Sequence, residues 1–438
     1  MKPFHSSPLH QVSRRQALAM GIAGAGAAIS ATVRAQMVSD ADSSSSLAAP
    51  WQALRAQLVL NPKLAYFDTA TAGPATRAVL AAEYRALESL HTEEQDFYSA
   101  RYNTQAVQQL CNRVASWLGC SRDELTLTRG AQAGIEQFAT SFDFQPALQA
   151  GDELVLCNQL PATSQSFWAR WGRQRGLSIK TVMLPSPLLN DGQVTGAFNA
   201  ALSERCRIVV FSHVQHSDGA ILPVRELCTT ARNNKTISIV DGTLALGAMN
   251  VSMMELDCDV YASSFHHWMN GPQHTGVLYV RRTLLNQVTS LSHPLIDMLD
   301  LNIASWPALI AKLPKDFIDY APQFQALMQS LSLQEGLGRN VVAARIRELC
   351  SYARLQLQST NMQIMTPVPG QMWSNILTVR AANPRVAELV NYLRRTDQVV
   401  VGGINIPNGS LLRMSFHIYN SLDDVDRLLR GVSRAMRL

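Results

Sequence analysis

The chain has 438 residues, of which 47% are apolar, so it is long enough to bury sizeable cores and is neither disordered nor a small disulfide-stapled fold. Only 16% of the residues are charged, and four of the five net positive charges lie in the first 35 residues. The rest of the chain is close to neutral and lacks the concentrated basic surface that nucleic acid or an anionic membrane requires. We therefore expect neither as a partner.

The first 35 residues predict an export signal. Ser13–Leu18 (SRRQAL) has the twin-arginine pattern, an Ala/Gly-rich stretch follows, and Val33–Ala35 has the pattern of a cleavage site. The apolar stretch is too short and too rich in glycine to span a bilayer. We expect the twin-arginine (Tat) export machinery to deliver a periplasmic or secreted protein whose mature form has no membrane span.

Residues 36–61 are predicted to form a flexible linker, because Val38 to Ala49 is rich in Ser, Asp and Ala. Seven cysteines occur along the chain without metal-binding spacing, and most lie in apolar runs. We interpret them as small buried side chains and predict no disulfide framework.

Beyond the linker, short β-rich runs alternate with helical stretches. Helical periodicity is clear in Ala75–His91, Gln105–Leu118 and Val341–Gln358. The predicted strands are Leu125–Thr128, Glu153–Cys157, Ile179–Leu184, Ile208–Ser212, Ile237–Asp241, Val260–Ser263 and Gly276–Val280. Apolar strands separated by helices predict an α/β fold with a mostly parallel, helix-covered sheet.

The alternation loosens after about His293. The strand-like segments Asn375–Val379 and Leu412–Ser415 and the closing helix Leu422–Arg434 predict a second, smaller α+β domain. We place the large domain at residues 62–295 and the small C-terminal domain at residues 296–438.

Candidate functional residues follow the predicted strands. Asp241 ends one strand, and His266 and His267 follow another. Ligands of open α/β sheets bind at the carboxyl ends of strands. A metal site is one alternative, less favoured because adjacent histidines on one strand point to opposite faces. Its ligands would be His213, His216, His266 and His267.

These segments resemble the class V aminotransferase family of pyridoxal-phosphate (PLP) enzymes, which includes cysteine desulfurases and isopenicillin N epimerase-like proteins. The similar segments follow the family order: Tyr66–Ala70, Phe211–Val224, Ile237–Gly242, Asp259–Val280 and Arg413–Asp426. The resemblance implies the type I PLP-dependent transferase fold, with a mostly parallel seven-stranded sheet in the large domain. It also implies a homodimer with the pocket near the interface.

The resemblance implies roles for individual residues. Asp241 would keep the pyridine nitrogen of the cofactor protonated, and Arg413 would bind a substrate carboxylate. The other matches to cofactor-binding positions are Gln132, His216, Ser264, His266 and Thr275. In dimeric members, the residue at the position of Thr275 reaches the phosphate in the partner subunit.

Other positions depart from the family pattern. His267 occupies the position of the lysine, and an imidazole cannot form an aldimine with the cofactor. None of the six lysines lies in a matching motif: Lys2, Lys63, Lys180, Lys235, Lys312 and Lys315. Family contacts are also replaced at Gln132, Leu160-Pro161, His216 and Leu244. No cysteine follows Cys350, which argues against a cysteine desulfurase.

Three hypotheses remain open. We favour an exported family member, a pseudoenzyme, that has lost internal-aldimine chemistry and binds a small-molecule ligand or supports a partner in the old pocket. The alternative is an enzyme acting on a small amine or amino-acid derivative. It would hold PLP or its amine form noncovalently, with His267 as the proton-transfer base because the pKa of histidine lies near working pH. The third is the metal site.

Overall fold

A computed structural model describes residues 49–92, 104–288, 321–360, 362–373, 375–381, 386–406 and 409–435. The predicted export signal, the first half of the predicted linker and the predicted boundary between residues 295 and 296 lie outside these ranges. Within the described residues, no helix combines the length and apolar character that crossing a membrane requires.

The large sheet has seven strands. Their bounds are β2 Leu125–Thr128, β3 Glu153–Cys157, β4 Ser178–Val182, β5 Cys206–Ser212, β6 Ile237–Asp241, β7 Val260–Ser264 and β8 Gly276–Val280. The spatial order is β2-β8-β7-β6-β5-β3-β4, and β8 runs antiparallel to both of its neighbours while the other pairs are parallel. The predicted strands and the mostly parallel sheet are confirmed, and β4 ends two residues earlier than expected. Apart from the edge strand β4, these strands could be predicted because their apolar side chains are buried on both faces of the sheet.

The described α-helices cover the sheets. They are α1 Ala49–Gln57, α2 Arg77–Thr92, α3 Thr104–Leu118, α4 Ala131–Ser141, α5 Ala162–Gln174, α6 Asp191–Ala201, α7 Val224–Asn233, α8 Met253–Leu256, α9 Ala321–Leu337, α10 Arg339–Gln358, α11 Val386–Tyr392 and α12 Leu422–Ala435. The helices predicted from periodicity are confirmed as α2, α3, α10 and α12, with bounds within two residues of the expected ones.

The second sheet has four strands in the order β1-β10-β11-β9: β1 Ala65–Phe67, β9 Ile376–Ala381, β10 Val399–Ile406 and β11 Gly409–Ser415. Its first strand comes from the segment that we assigned to the large domain, because β1 pairs in parallel with β10. The N-terminal residues of the predicted range 62–295 therefore belong to the smaller sheet. The sequence analysis did not predict β10.

The prediction of a flexible linker over residues 36–61 is wrong for its C-terminal part. Helix α1 lies there, with Leu54 buried in the core. Arg55 of this helix forms an ion pair with Asp424 of α12 at 3.2 Å. Contacts with residues distant in the chain stabilise this helix, and composition alone does not reveal them.

Candidate functional site

A cavity of about 260 Å³ lies at the carboxyl ends of the central strands. The strands contribute Ser212 of β5, Asp241 of β6 and Ser264 of β7 to its lining. The N-termini of α4 and α5 also border it. Its other lining residues include Ala70, Arg129, Thr163, His216, Leu244 and His266. This is the edge at which an open α/β sheet places ligands.

One end of the cavity, here called the helix end, is formed by Gly130, Ala131 and Ser264, and Gly276 packs against Gly130. Helix α4 begins at Ala131 without a capping side chain from Gly130, so N–H groups of its first turn face outward without intrahelical partners. The Ala131 N–H donates to the Ser264 hydroxyl oxygen at 3.0 Å. A helix N-terminus of this kind favours an anion such as phosphate.

The helix end depends on close backbone packing. A Cβ atom on Gly276 would lie 2.5 Å from the Gly130 Cα and 2.6 Å from the Ser263 carbonyl oxygen. Gly130 itself has φ of 131°, a conformation that other residues rarely adopt. The two glycines therefore allow strand β8 to support the turn that begins α4.

Asp241 provides an acidic group to the cavity. One of its carboxylate oxygens accepts the Thr243 N–H at 2.9 Å, and no ion pair to Asp241 is found among the described residues. Burial raises the pKa of this carboxyl group above its ordinary value. A buried carboxylate without a cation is costly, so the site suits a ligand that brings a protonated nitrogen.

The opposite side of the site, here called the arginine end, contains Asp68, His216, His267 and Arg413. Arg413 is 3% exposed and is not among the residues that line the cavity. Its Nη1 donates to His216 Nε2 at 2.8 Å. Its Nη2 donates to the Thr71 hydroxyl at 2.8 Å and to an Asp68 carboxylate oxygen at 3.4 Å.

His266 and His267 lie beside each other after β7. Their ring centroids are 4.5 Å apart with an interplanar angle of 36°. Strand β7 ends at Ser264, so the expectation that the two rings point to opposite faces of a strand is wrong. Both residues belong to the turn that follows the strand, where side chains do not alternate.

The hydrogen bond of His267 fixes its tautomer. Its Nδ1 lies 3.0 Å from the Thr69 carbonyl oxygen, which can only accept, so Nδ1 carries the hydrogen and Nε2 a lone pair. Burial, and then the neighbouring His266, lower the pKa of His267 to about 3. His267 is therefore neutral at working pH, and its pKa is not near neutrality as the enzyme hypothesis assumed.

The comparison with known families agrees with this architecture. The model of the family described as aminotransferase class-V matches residues 65–428. The chain belongs to the class-V aminotransferase family. This confirms the resemblance inferred from the motifs.

Relatives with similar sequences span nearly the whole chain. Isopenicillin N epimerase from Amycolatopsis lactamdurans is 29% identical over 401 residues, which cover 88% of this chain and 98% of the relative. Isopenicillin N epimerase from Streptomyces clavuligerus is 27% identical over 391 residues, covering 87% and 97%. A probable cysteine desulfurase from Halalkalibacterium halodurans is 25% identical over 328 residues, covering 72% and 78%.

Solved structures share the fold. A C-DES mutant with glycine covalently linked to its PLP cofactor superposes with a TM-score of 0.75 at 17% identity, covering 87% of this chain and 98% of that one. The cysteine desulfurase CsdA from Escherichia coli gives a TM-score of 0.72 at 22% identity, covering 88% and 98%. With the mostly parallel seven-stranded sheet, these similarities confirm the type I PLP-dependent fold.

The structure brings some predicted cofactor-binding residues of this class-V member to the cavity and not others. Asp241, Ser264, His266, His216 and Gln132 line it. The Gln132 amide is already paired, because Nε2 donates to Glu136 on the next turn of α4 at 2.8 Å. Thr275 is fully buried away from the lining and donates its hydroxyl hydrogen to the Pro272 carbonyl at 2.7 Å. Its predicted contact with a partner subunit stays a prediction.

The assignment of His267 to the lysine position also stays a prediction of the motif match. Among the described residues, the lysines are Lys63, Lys180 and Lys235, and none of them lines the cavity. Lys180 pairs instead with Glu153 at 2.7 Å on the far edge of the sheet. The other three lysines lie outside the described residues.

The geometry does not favour a metal site. Within the described ranges, no three His, Cys, Asp or Glu side chains approach one another closely enough to hold an ion. His213 is paired through Nδ1 with the Tyr261 hydroxyl at 3.0 Å, and His216 is paired with Arg413. All seven cysteines have free thiols, and six of them are buried.

Sequence analysis missed three functional contributors. Asp68 and Thr71 hold Arg413, and the Thr69 carbonyl holds His267. All three belong to the segment that follows β1, to which the sequence analysis assigned no role in the site. The strand pairing that brings this segment to the site joins residues more than 300 positions apart.

Proposed function

We propose that the protein is an exported class-V aminotransferase-like protein that binds a phosphorylated pyridine ligand, such as PLP or its amine form, without covalent attachment. The observation that supports this proposal is the set of groups that the cavity offers to a ligand. A helix N-terminus and a buried carboxylate are available to a ligand, whereas no lysine among the described residues lines the cavity. Export rests on the twin-arginine pattern of Ser13–Leu18, and a homodimer rests on the family resemblance.

The helix end suits the phosphate group. The Ser264 oxygen accepts the Ala131 N–H, so the hydroxyl hydrogen of Ser264 is left to donate to a ligand oxygen. N–H groups in the first turn of α4 add further donors, and the helix dipole adds partial positive charge. Together they form an anion site that needs no lysine.

Asp241 suits the ring of the ligand. Its second carboxylate oxygen can accept a hydrogen bond from a protonated pyridine nitrogen, which would replace the missing cation in this buried site. When bound, the ring of PLP supplies an electron sink. In this chain, Asp241 orients the ring and holds the proton on its nitrogen.

The enzyme hypothesis has weaker support. The lone pair on His267 Nε2 could take a proton, but a base with a pKa of about 3 is poorly matched to proton transfer near neutral pH. The apolar Leu244 and the Pro161 ring also line the cavity in place of the polar and aromatic contacts of the family pattern. Ligand binding without turnover therefore accounts for the geometry better.

The proposal is tested by calorimetric titration of the mature protein with pyridoxamine 5′-phosphate and with pyridoxamine, which lacks the phosphate. We expect the phosphate ester to bind about tenfold or more tightly, because each hydrogen bond to a charged group contributes about 1.5–3 kcal/mol. Asp241→Asn should weaken binding of the ester, and Asp143→Asn, at an exposed carboxylate, serves as the charge-matched control. Equal affinity for the two compounds, or no binding of either, would contradict the proposal.

A further inference from the structure

Arg413 has no pair of N–H groups left for a ligand carboxylate. Its Nη1 hydrogens go to His216 Nε2 at 2.8 Å and to the His216 carbonyl oxygen at 3.4 Å. Its Nη2 hydrogens go to Thr71 and Asp68. A carboxylate binds arginine most strongly through two parallel N–H donors, and all four Nη hydrogens already have acceptors.

The fifth donor of Arg413, its Nε–H, lies in a confined space. Its Nε has no hydrogen-bond partner among the described residues and is buried. A Cβ atom added to Gly402 of β10 would lie 3.2 Å from this Nε and 2.8 Å from an Asp68 carboxylate oxygen. Nε therefore packs against strand β10, and Asp68 supplies the negative charge that a substrate carboxylate would otherwise bring.

His216 separates the cavity from the guanidinium. It lines the cavity, whereas Arg413 does not. Because arginine can only donate, His216 Nε2 must be the acceptor, and its ring is neutral with the hydrogen on Nδ1. The cavity therefore meets a neutral imidazole on this side, where a free arginine would present a positive charge.

From these contacts we infer that the pocket selects ligands whose amine portion lacks a carboxylate, with His216, Thr71 and Asp68 as the residues that set this specificity. The inference rests on the proposed function, since it concerns the substituent carried by the phosphorylated pyridine ligand. Arg413 then acts as a structural cation that joins β11 to the segment after β1, and a simple amine occupies the space beside His216.

Two reduced, stable probes test the inference: N-(5′-phosphopyridoxyl)-L-alanine and N-(5′-phosphopyridoxyl)ethylamine, which differ only in the carboxylate. With the unmodified protein we expect dissociation constants within about threefold of each other. A free arginine would favour the alanine compound by about tenfold to a hundredfold, because charge-assisted bidentate pairs are strong. Both constants are measured directly by calorimetry, so no activity is needed.

Three variants test the roles of His216 and Thr71 in this preference. His216→Ala removes the Nε2 acceptor and should shift the preference toward the alanine probe by about tenfold. Thr71→Val, at an exposed residue, frees an Nη2 hydrogen with little risk to folding and should shift it in the same direction. Thr195→Val on α6, distant from the cavity, is the matched control and should leave the ratio of the two constants unchanged.

The outcomes are distinct. Binding of both probes with a tenfold or greater preference of the unmodified protein for the alanine compound would overturn the inference and leave the proposed function standing. Unchanged ratios in both His216→Ala and Thr71→Val would also overturn it. Binding of neither probe would reject the proposed function and the inference together.

Discussion

The two ends of the cavity differ in what they leave for a ligand. At the helix end, the first turn of α4 and the Ser264 hydroxyl have donors for which the described residues supply no acceptor. At the arginine end, Arg413 is paired with Asp68, Thr71 and His216. The helix end therefore presents donors that a ligand could use, whereas the polar groups of the arginine end are satisfied within the protein.

We expect the largest effect from adding one methyl group beside the helix end. In Gly276→Ala the new Cβ would meet backbone atoms of Gly130 and Ser263, which cannot move without disturbing α4 and β7. We expect a loss of about 1–3 kcal/mol in the free energy of unfolding, measured by urea denaturation, together with loss of phosphate-ester binding.

Gly196→Ala is the control for this variant. A Cβ there has nothing within 4 Å, and the residue lies inside α6. Alanine should therefore stabilise the protein by about 0.5–1 kcal/mol and leave ligand binding unchanged. If Gly276→Ala bound the ester normally, the close packing of the helix end would not matter for its function.

A smaller effect should come from acidification of the arginine end. Burial and the Arg413 charge lower the pKa of His216 to about 4 in the folded protein. In the unfolded chain, His216 takes up a proton as the pH falls below about 6.5, whereas in the folded protein it does so only near pH 4. Its contribution to the free energy of unfolding is therefore complete above pH 6.5 and is lost as the pH falls toward 4. The contribution of this histidine should fall by about 1.4 kcal/mol per pH unit.

His216→Asn should remove this dependence, since asparagine keeps an acceptor for Arg413 and does not titrate. The measurement is urea denaturation at several values between pH 6.5 and 5, compared with the unmodified protein and with His91→Asn at an exposed position of α2. A variant slope identical to that of the unmodified protein would show that burial and Arg413 do not hold His216 neutral in the folded protein.

The sequence predicted the large sheet because most of its strands are continuous apolar runs, and it predicted Asp241 because that residue ends such a run. Ser264 was predicted only from the family resemblance. Strand β10 was missed because it contains Gly402 and Gly403, which interrupt the strand pattern. Gly402 is required there by Asp68 and Arg413, which occupy the space of its side chain. That requirement comes from the tertiary structure and cannot be recognised from the local sequence.

The protonation and hydrogen-bond partners of the candidate site residues could not be predicted from the sequence. His267 was identified by its position in the motif, but its tautomer depends on the Thr69 carbonyl nearly 200 residues away. Its lowered pKa depends on burial in the packed fold and on the neighbouring His266. Arg413 was identified by its strand, but its partners are His216 and the segment after β1, all distant in the chain. Motifs locate such groups, and only the packed structure shows whether they are free.

The proposed function depends on a ligand that binds in the cavity without a covalent bond. The most direct measurement is to incubate the mature protein with PLP, reduce it with borohydride and map phosphopyridoxyl groups over the whole chain by mass spectrometry, with and without excess pyridoxamine 5′-phosphate as competitor. A His267→Lys variant is the positive arm and should be labelled at the substituted position in a way that the competitor prevents. For the unmodified protein we predict no competitor-sensitive label on any lysine, and a stoichiometric, competitor-sensitive label would contradict the account.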